Sequence, residues 1–476
     1  AIDAAVGTAM ALASQEPWNS GLGGYGGFAI VHRAGQARAE VVDFGPVSPR
    51  RLTTANFKLT GRMSEIGFRW AEVEGDANVH GPLAVAVPSA VAGCEALHTR
   101  WGRLPMAEVM APAVALARRG LQLDWFASQK ITAAARDLRR YPESARIYLR
   151  DGLPPAPPAE GNPGFMPLGA LPATMEQLAR AGWRDFYEGE IAAALVRDQQ
   201  TVGGVIDAED LRACTARVVP AEQVPWRNGR VLQLAGGMTA TSALLPVLAA
   251  MAEAPYGARP DAAWYRRLAG ALRAAYAARL AAPASNDGGE TCTTHLTVMD
   301  EEGTMVTMTT TLMAGFGSRV VLPQTGLLLN NGIMLFDPRP GQANSLAPSK
   351  RLLTNMCPLV LREGDVPMMA GGASGGRHIM AAMFQLMTYI ADFGMNPQAA
   401  AHAPRISVAG PDGVAADVAL GPEVIAAMAA DAPVEVVRRY IAPANFANPN
   451  MILRHADGSS SGIADNRSPW SVALAQ

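Results

Sequence analysis

The segment 290–312, ETCTTHLTVMDEEGTMVTMTTTL, carries hydroxyl side chains at high density. Apolar and polar residues alternate on both sides of a Glu-Glu-Gly triplet, which predicts an antiparallel hairpin with a three-residue loop. If Asp300 faces Thr304, counting outward along both strands places Thr293 opposite Thr311. Directly opposed residues have Cβ atoms about 5 Å apart, so these two hydroxyl groups are expected to interact.

A threonine hydroxyl is a weak nucleophile unless a base takes its proton. When threonine is the first residue of a chain, its own α-amine is that base. This requires cleavage of the preceding peptide bond, and 283-PASNDGGETC-292 has the composition of an exposed, cleavable joint. The alternative is that the threonines only fill strand positions, and the hairpin alone does not decide between the two.

A second candidate for chemistry is the glycine cluster 371-GGASGG-376, between a predicted strand and a predicted helix that begins near His378. Unpaired backbone N–H groups at such a turn bind anions. Gly375 and Gly376 are therefore candidate donors to a developing oxyanion.

The same cluster also matches G-x-S-x-G, the nucleophile elbow of α/β-hydrolases, with Ser374 as nucleophile. The remaining members of that triad would come from His402 or His455 and from Asp412 or Asp417. The elbow follows a parallel βαβ series, whereas the sequence before Ser374 predicts antiparallel hairpins. The interpretation of the cluster as a nucleophile elbow is therefore weaker than its interpretation as a pair of oxyanion donors.

Composition excludes several classes of function. The chain has 476 residues with 40 basic and 42 acidic side chains, and no basic stripe, so no nucleic-acid partner is expected. No apolar run approaches the roughly 18–20 residues of a membrane span. The four cysteines have no paired spacing, so neither a metal site nor a disulfide framework is expected.

The string G-x-G-x-x-G at 21–26 lies between a predicted helix and a predicted strand. A dinucleotide site needs the opposite order, so no cofactor is expected. The chain opens inside a helical pattern, so residues upstream are expected to be missing and the location stays open, with a cytoplasmic one slightly favoured over secretion with a signal peptide.

The periodicity of the sequence predicts mostly helices from residue 88 to about residue 282 and mostly short strands after residue 290. The predicted helices cover residues 2–14, 105–120, 172–183, 240–253, 262–282 and 378–395. The predicted strands cover residues 28–33, 38–44, 294–300, 304–312, 319–322, 326–330 and 358–362.

Several motifs together resemble the γ-glutamyltranspeptidase family in order and spacing. They are AIDAAV and SGLGG near the start, TTHLTVMDEEGTMVTMTTT (293–311), FGS (316–318), TGLLLNN (325–331), SKR (349–351), GASGG (372–376), APR (403–405) and GIADNR (462–467). The resemblance implies an N-terminal-nucleophile hydrolase of α+β class, in which two antiparallel sheets lie between helix layers as a four-layer αββα sandwich. It also implies a precursor that cleaves itself.

The family's cleavage site corresponds here to the bond between Cys292 and Thr293. The resemblance thus implies a helix-rich large subunit, 1–292, and a small catalytic subunit, 293–476, which together form one αββα body. Thr293 takes the place of the nucleophile and Thr311 that of the second threonine, while Gly375 and Gly376 match the oxyanion pair. A dimer of processed heterodimers is one assembly that this organisation allows.

The residues that hold a γ-glutamyl group in the family are altered in this chain. The six matching positions are Gly45, Met313, Gly332, Leu335, Thr354 and Asn355. Burying an ammonium and a carboxylate without partners costs several kcal/mol, so γ-glutamyl compounds are expected to be poor substrates. Arg319 and Arg377 are two further candidates for binding a substrate carboxylate.

The expected function is a self-processing threonine amidohydrolase, or acyltransferase, that cleaves the amide of a small acyl substrate. The acyl group is expected to be small or apolar where it meets Met313 and Leu335. The alternatives are a true γ-glutamyl hydrolase or transpeptidase, the Ser374 hydrolase, and a non-enzymatic family member.

Overall fold

The computed structural model describes residues 1–66, 70–281, 292–352, 354–438, 440–441, 445–468 and 470–475. Of the predicted cleavable joint 283–292, only Cys292 lies within the described residues. The two predicted fragments can therefore be followed on either side of this joint.

The strands are numbered in chain order. They are β1 (Gly26–His32), β2 (Glu40–Asp43), β3 (Leu59–Met63), β4 (Ala71–Val73), β5 (Leu121–Leu123), β6 (Gly164–Met166), β7 (Arg217–Pro220), β8 (Glu222–Pro225), β9 (Arg230–Leu234), β10 (Cys292–Met299), β11 (Met305–Met313), β12 (Leu359–Glu363), β13 (Val366–Ser374), β14 (Ile406–Ser407), β15 (Val414–Asp417), β16 (Val434–Val437), β17 (Asn448–Arg454) and β18 (Ser460–Ala464).

The α-helices are numbered in the same way. They are α1 (Ile2–Gln15), α2 (Ala90–Trp101), α3 (Met106–Arg119), α4 (Trp125–Leu138), α5 (Pro142–Tyr148), α6 (Leu171–Ala181), α7 (Asp185–Glu188), α8 (Glu190–Val202), α9 (Ala208–Arg212), α10 (Thr239–Ala252), α11 (Ala262–Ala281), α12 (His378–Ala391), α13 (Pro397–His402) and α14 (Gly421–Ala429).

Two antiparallel sheets form the centre of the molecule. The first has the strand order β10-β11-β1-β2-β7 and the second has the order β18-β17-β13-β12-β9-β8. Both sheets combine strands from either side of the proposed cleavage point. Segments 1–292 and 293–476 therefore share one body.

Successive side chains of a strand point to opposite faces of the sheet, so each sheet packs against helices on one face and against the other sheet on the other face. On β1, Ala29 and Val31 pack in an outer core with helices such as α1 and α3, while Phe28 and Ile30 belong to a core between the two sheets. On β12, Leu359 and Leu361 likewise face a second outer core, which α10, α11 and α12 cover. The result is the expected αββα sandwich.

Two of the predicted strands are wrong. Segments 319–322 and 326–330 are joined by an isolated bridge between Val321 and Leu328 and by backbone hydrogen bonds, two of them of 3.0 Å, but neither forms a regular strand. Their apolar runs lie in loops that pack against the outer core, where residues 320–322 and 327–329 are buried. A run of consecutive buried apolar residues in an irregular loop imitates the pattern of a buried strand.

Candidate active site

The hairpin has the predicted register over most of its length. The Asp300 amide donates to the Thr304 carbonyl at 3.1 Å, and the ladder continues unbroken to the pair Thr294 and Thr310. Between Thr294 and Cys292 the register shifts, so that Cys292 pairs with Met313. The irregularity falls on the residue proposed as the nucleophile.

This shift changes the partner of Thr311. Its hydroxyl donates a hydrogen bond to the carbonyl oxygen of Cys292, and accepts one from the Met313 amide at 2.8 Å. The expected contact between two hydroxyl groups is thus replaced by a contact between Thr311 and the carbonyl of the Cys292–Thr293 bond. A hydroxyl donor at this place withdraws electron density from the carbonyl carbon.

Thr293 is buried, with 8% of its surface exposed. Thr294, its neighbour, points to the outer face, where its hydroxyl donates to Glu16 Oε2 at 2.9 Å. Asn19 Nδ2 donates to the same oxygen at 3.2 Å. Burial raises the pKa of Glu16, and these two hydrogen bonds oppose that effect. Glu16 ties the start of β10 to the loop after α1.

His295 lies on the opposite, inner face, and explains much of the threonine content of the hairpin. Its Nδ1 lies 2.7 Å from Thr309 Oγ1, and its Nε2 lies 2.9 Å from Thr307 Oγ1 and 3.3 Å from Thr297 Oγ1. Desolvation lowers the pKa of His295 to about 3. The imidazole is therefore neutral at pH 7.

The second sheet meets the first at His295. A Cβ added to Gly372 would lie 2.1 Å from the His295 ring. Asn450, which pairs with Gly372 on the adjacent strand β17, donates to the His295 carbonyl at 2.8 Å. Thr293 is two residues from His295, and Gly375 is three residues from Gly372. At about 3.3 Å per residue, both therefore lie within roughly 10 Å of this contact.

The glycine turn connects β13 to α12. Gly375 has φ +131° and Gly376 has φ +57°, conformations that favour glycine. A Cβ at Gly375 would lie 2.7 Å from the Ala447 Cα. Close backbone packing therefore requires glycine here, independently of any role in catalysis.

The geometry around Ser374 does not support the α/β-hydrolase alternative. Strand β13, which ends at Ser374, pairs antiparallel with both neighbours, β12 and β17. Of the proposed partners, His455 lies 2.7 Å from the Ser461 hydroxyl and Asp417 caps the turn at Ala419. The parallel βαβ series required by a nucleophile elbow is replaced by an antiparallel sheet.

The core between the sheets contains most of the predicted acyl-binding positions. Met313 and Leu335 are both buried there, beside Tyr25, Phe28 and Met238. The Thr354 hydroxyl reaches the same core, 3.6 Å from the sulfur of Met238. Asn355 faces elsewhere and accepts a hydrogen bond from the Arg279 guanidinium.

The two predicted glycine positions are closely surrounded by aromatic rings. A Cβ at Gly332 would lie 3.0 Å from Cβ and Cγ of Tyr25 and 2.8 Å from Cβ of Ala86. A Cβ at Gly45 would lie 3.0 Å from Cζ of Phe28. A side chain at either position would require these neighbours to move.

Sequence reasoning missed the arginine nearest to Gly45. Arg351 Nη1 donates to the Gly45 carbonyl at 3.1 Å and lies 3.2 Å from Asp43 Oδ1. Burial lowers the pKa of Arg351, and Asp43 opposes this effect. Its motif, SKR, was visible in the sequence, but the pairing with residue 45 depends on the fold.

The other two candidate arginines donate to backbone carbonyls. Arg377 Nη1 donates to the Ala409 carbonyl at 2.8 Å, and Arg319 Nη1 donates to the Gly317 carbonyl. Both side chains therefore have structural contacts. Their predicted role in binding a substrate carboxylate stays a prediction.

Among the described residues, no three His, Cys, Asp or Glu side chains come together as a metal site. No helix in the described ranges is long and apolar enough to cross a membrane.

The γ-glutamyltranspeptidase family model matches residues 1–287 and 280–475. The chain belongs to the γ-glutamyltranspeptidase family. It is therefore an enzyme of the N-terminal-nucleophile hydrolase class, and its relatives are acylases and glutathione hydrolases.

Two curated relatives represent these two kinds of family member. The Acylase ACY 1 proenzyme of Pseudomonas sp. strain SE83 is 31% identical, and the match covers 98% of this chain and 87% of the relative. The glutathione hydrolase proenzyme of Bacillus subtilis strain 168 is 27% identical, with 85% of this chain and 76% of the relative covered.

Solved structures support the same fold. The cephalosporin acylase from Bacillus halodurans superposes with a TM-score of 0.84 over 98% of this chain and 90% of its own, at 23% identity. The Helicobacter pylori γ-glutamyltranspeptidase gives a TM-score of 0.51 over 59% of this chain and 77% of its own, at 26% identity.

Proposed function

We propose that this protein is a self-processing threonine amidohydrolase that cleaves itself between Cys292 and Thr293. The observation that carries the proposal is the hydrogen bond from the Thr311 hydroxyl to the Cys292 carbonyl. This donor would stabilise negative charge on the carbonyl oxygen when the carbon is attacked. The proenzyme names of the relatives support a processed precursor here as well.

In the processing step, the Thr293 hydroxyl attacks the Cys292 carbonyl carbon. A carbon–oxygen bond forms, the Cys292–Thr293 amide bond breaks, and the proton of the Thr293 hydroxyl passes to the departing nitrogen, which becomes a free amine. Water then hydrolyses the resulting ester. The products are the two fragments 1–292 and 293–476, and Thr293 begins the second.

In the catalytic cycle, Thr293 Oγ attacks the amide carbonyl of the substrate while the Thr293 α-amine accepts the hydroxyl proton. The amides of Gly375 and Gly376 donate to the oxyanion. The amine then passes the proton to the leaving nitrogen. Water releases the acyl group from Thr293, and a second amine in place of water would give acyl transfer.

The acyl-binding side of the site favours an uncharged, apolar group. Met313, Leu335 and Met238 lie buried in one core, and a side chain at Gly45 or Gly332 would require its neighbours to move. An α-ammonium group placed here would lose its hydration without an acidic partner from residue 332 or 335. An acylase therefore fits this chain better than a γ-glutamyl hydrolase.

Processing is tested on a denaturing gel and by sequencing the new N-terminus. The wild-type chain of 49.9 kDa is expected to give two fragments, the smaller beginning at Thr293. Thr293→Ala should leave one band. Thr294→Ala and Cys292→Ala are the matched controls, and both should still be cleaved. A wild-type chain that stays intact would overturn the proposal.

Activity is tested with acyl 4-nitroanilides that share the leaving group. We expect kcat/KM for butyryl or valeryl to exceed that for γ-glutamyl by at least about 100-fold, because burying the unpaired charges of γ-glutamyl costs several kcal/mol. A preference for γ-glutamyl would support the transpeptidase alternative. A processed protein without turnover of any acyl amide would contradict the proposed activity.

A further inference from the structure

Tyr25 belongs to the core between the two sheets and directly precedes β1, the strand that pairs with Thr311. Gly26, its neighbour, forms the β1–β11 pair with Thr311. Tyr25 itself is 2% exposed and lies in the same core as Met313 and Leu335. The tyrosine thus lies next to the strand that contacts the reacting carbonyl.

The hydroxyl of Tyr25 has a weak partner. It lies 3.4 Å from the sulfur of Met313, and a thioether is a poor hydrogen-bond acceptor. Burial raises the pKa of Tyr25 far above its usual value, so the phenol stays protonated and acts as a donor. A buried hydroxyl in this state gains from any better acceptor.

A short chain of contacts connects this hydroxyl to the bond that reacts. The Tyr25 hydroxyl meets the Met313 side chain, the Met313 amide donates to Thr311 Oγ1, and the Thr311 hydroxyl donates to the Cys292 carbonyl. One methionine side chain therefore separates the phenol from the residues around the reacting carbonyl.

The ring of Tyr25 also takes the space of a side chain at residue 332, where a Cβ would lie 3.0 Å from it. The Tyr25 ring can therefore occupy this place because residue 332 has no side chain. An acyl group bound beside this ring would meet mostly apolar atoms and the phenol hydroxyl.

We propose that Tyr25 is a specificity-determining residue of the amidohydrolase, and that its hydroxyl binds an uncharged oxygen acceptor on an otherwise apolar acyl group. This rests on the proposed function. The acceptor would replace the sulfur of Met313 as the partner of the phenol. Oxa-acyl groups are the simplest members of this substrate class.

The test compares acyl 4-nitroanilides that differ only by oxygen in place of methylene. Methoxyacetyl is compared with butyryl, and both ethoxyacetyl and 3-methoxypropionyl with valeryl. We expect wild-type kcat/KM to favour at least one oxygen-containing member by about five- to tenfold, the effect of one neutral hydrogen bond. In Tyr25→Phe this ratio should fall to about one.

Tyr440→Phe is the matched control, because Tyr440 is 69% exposed. It should keep the wild-type ratio. A ratio that is the same in wild type and Tyr25→Phe would overturn the role of Tyr25, as would turnover without any oxygen preference. Absence of turnover for every anilide by the cleaved protein would overturn the proposed function, and this inference with it.

A second variant tests the inference if Tyr25→Phe does not fold. Met313→Leu removes the competing sulfur acceptor and keeps the apolar volume. The oxygen preference should then rise above the wild-type ratio, because the phenol has no partner until the substrate binds. An unchanged ratio in this variant would contradict the proposal.

Discussion

The Thr311 hydroxyl donates a hydrogen bond to the carbonyl oxygen of Cys292, across a shift of one residue in the β10–β11 ladder. The donor is held in place by the Met313 amide, which donates to the same hydroxyl oxygen at 2.8 Å. The shift directs the hydroxyl to the bond before Thr293 rather than to the Thr293 side chain. In the proposed self-cleavage, this local irregularity in the strand would prepare the Cys292–Thr293 bond for attack.

Thr311→Val should slow cleavage of the Cys292–Thr293 bond by about 100-fold, the usual effect of removing one oxyanion donor. Thr311→Ser keeps the hydroxyl and should retain most of the rate. The measurement is the time course of precursor loss on a denaturing gel. Thr310→Val, on the outer face of the same strand, is the control. Equal rates for Thr311→Val and wild type would rule out this role.

Gly375→Ala should lower kcat/KM of the processed enzyme at least about 100-fold, because the turn must move to accommodate a Cβ that lies 2.7 Å from the Ala447 Cα. The assay is acyl 4-nitroanilide hydrolysis, with circular dichroism to verify folding. Ser374→Ala is the matched neighbour and should keep activity within about twofold. Loss of activity in Ser374→Ala, with the chain uncut, would instead support a serine nucleophile.

Gly332→Ala should destabilise the protein by about 1–3 kcal/mol, the usual cost of overpacking a core. Its new Cβ would lie 3.0 Å from the Tyr25 ring. Adding Tyr25→Gly should recover part of that loss, measured as a coupling in a double-mutant cycle of urea unfolding. Gly410→Ala, where a Cβ has open space, is the control. Strictly additive effects would show that residues 25 and 332 pack independently.

His295 should make the protein less stable in acid. Its pKa is about 3 in the folded state, against 6.5 as the ordinary value. Because the folded-state pKa is depressed, the contribution of neutral His295 to stability is full above pH 6.5 and is lost as the pH falls toward 3. His295→Gln should therefore lose less stability than wild type over this range.

The measurement is the free energy of unfolding at several pH values, made on the uncleaved Thr293→Ala background so that one chain unfolds. The pKa values of His80 and His378 are also lowered by burial, to about 4. His80 and His378 are present both in the Thr293→Ala protein and in its His295→Gln variant. The difference between their two stability-versus-pH curves therefore reports on His295 alone. Parallel curves would contradict the burial effect on its pKa.

Local patterns were enough to predict much of this molecule. Alternation in 293–311 predicted the hairpin and its register as far as Thr294, because side-chain direction in a strand has period two. The order of motifs from TTH to GASGG predicted the family. The αββα arrangement came from that resemblance, and packing of three separate cores bears it out.

The tertiary structure decided which groups meet. The bulge before Thr294, which turns Thr311 toward the Cys292 carbonyl, depends on how β10 ends and has no signature in the alternation. The contacts of Tyr25 with Met313 and Gly332 join segments about 300 residues apart. Sequence spacing determines neighbours along one element, whereas contacts between elements depend on how the sheets pack, and that packing shapes the site.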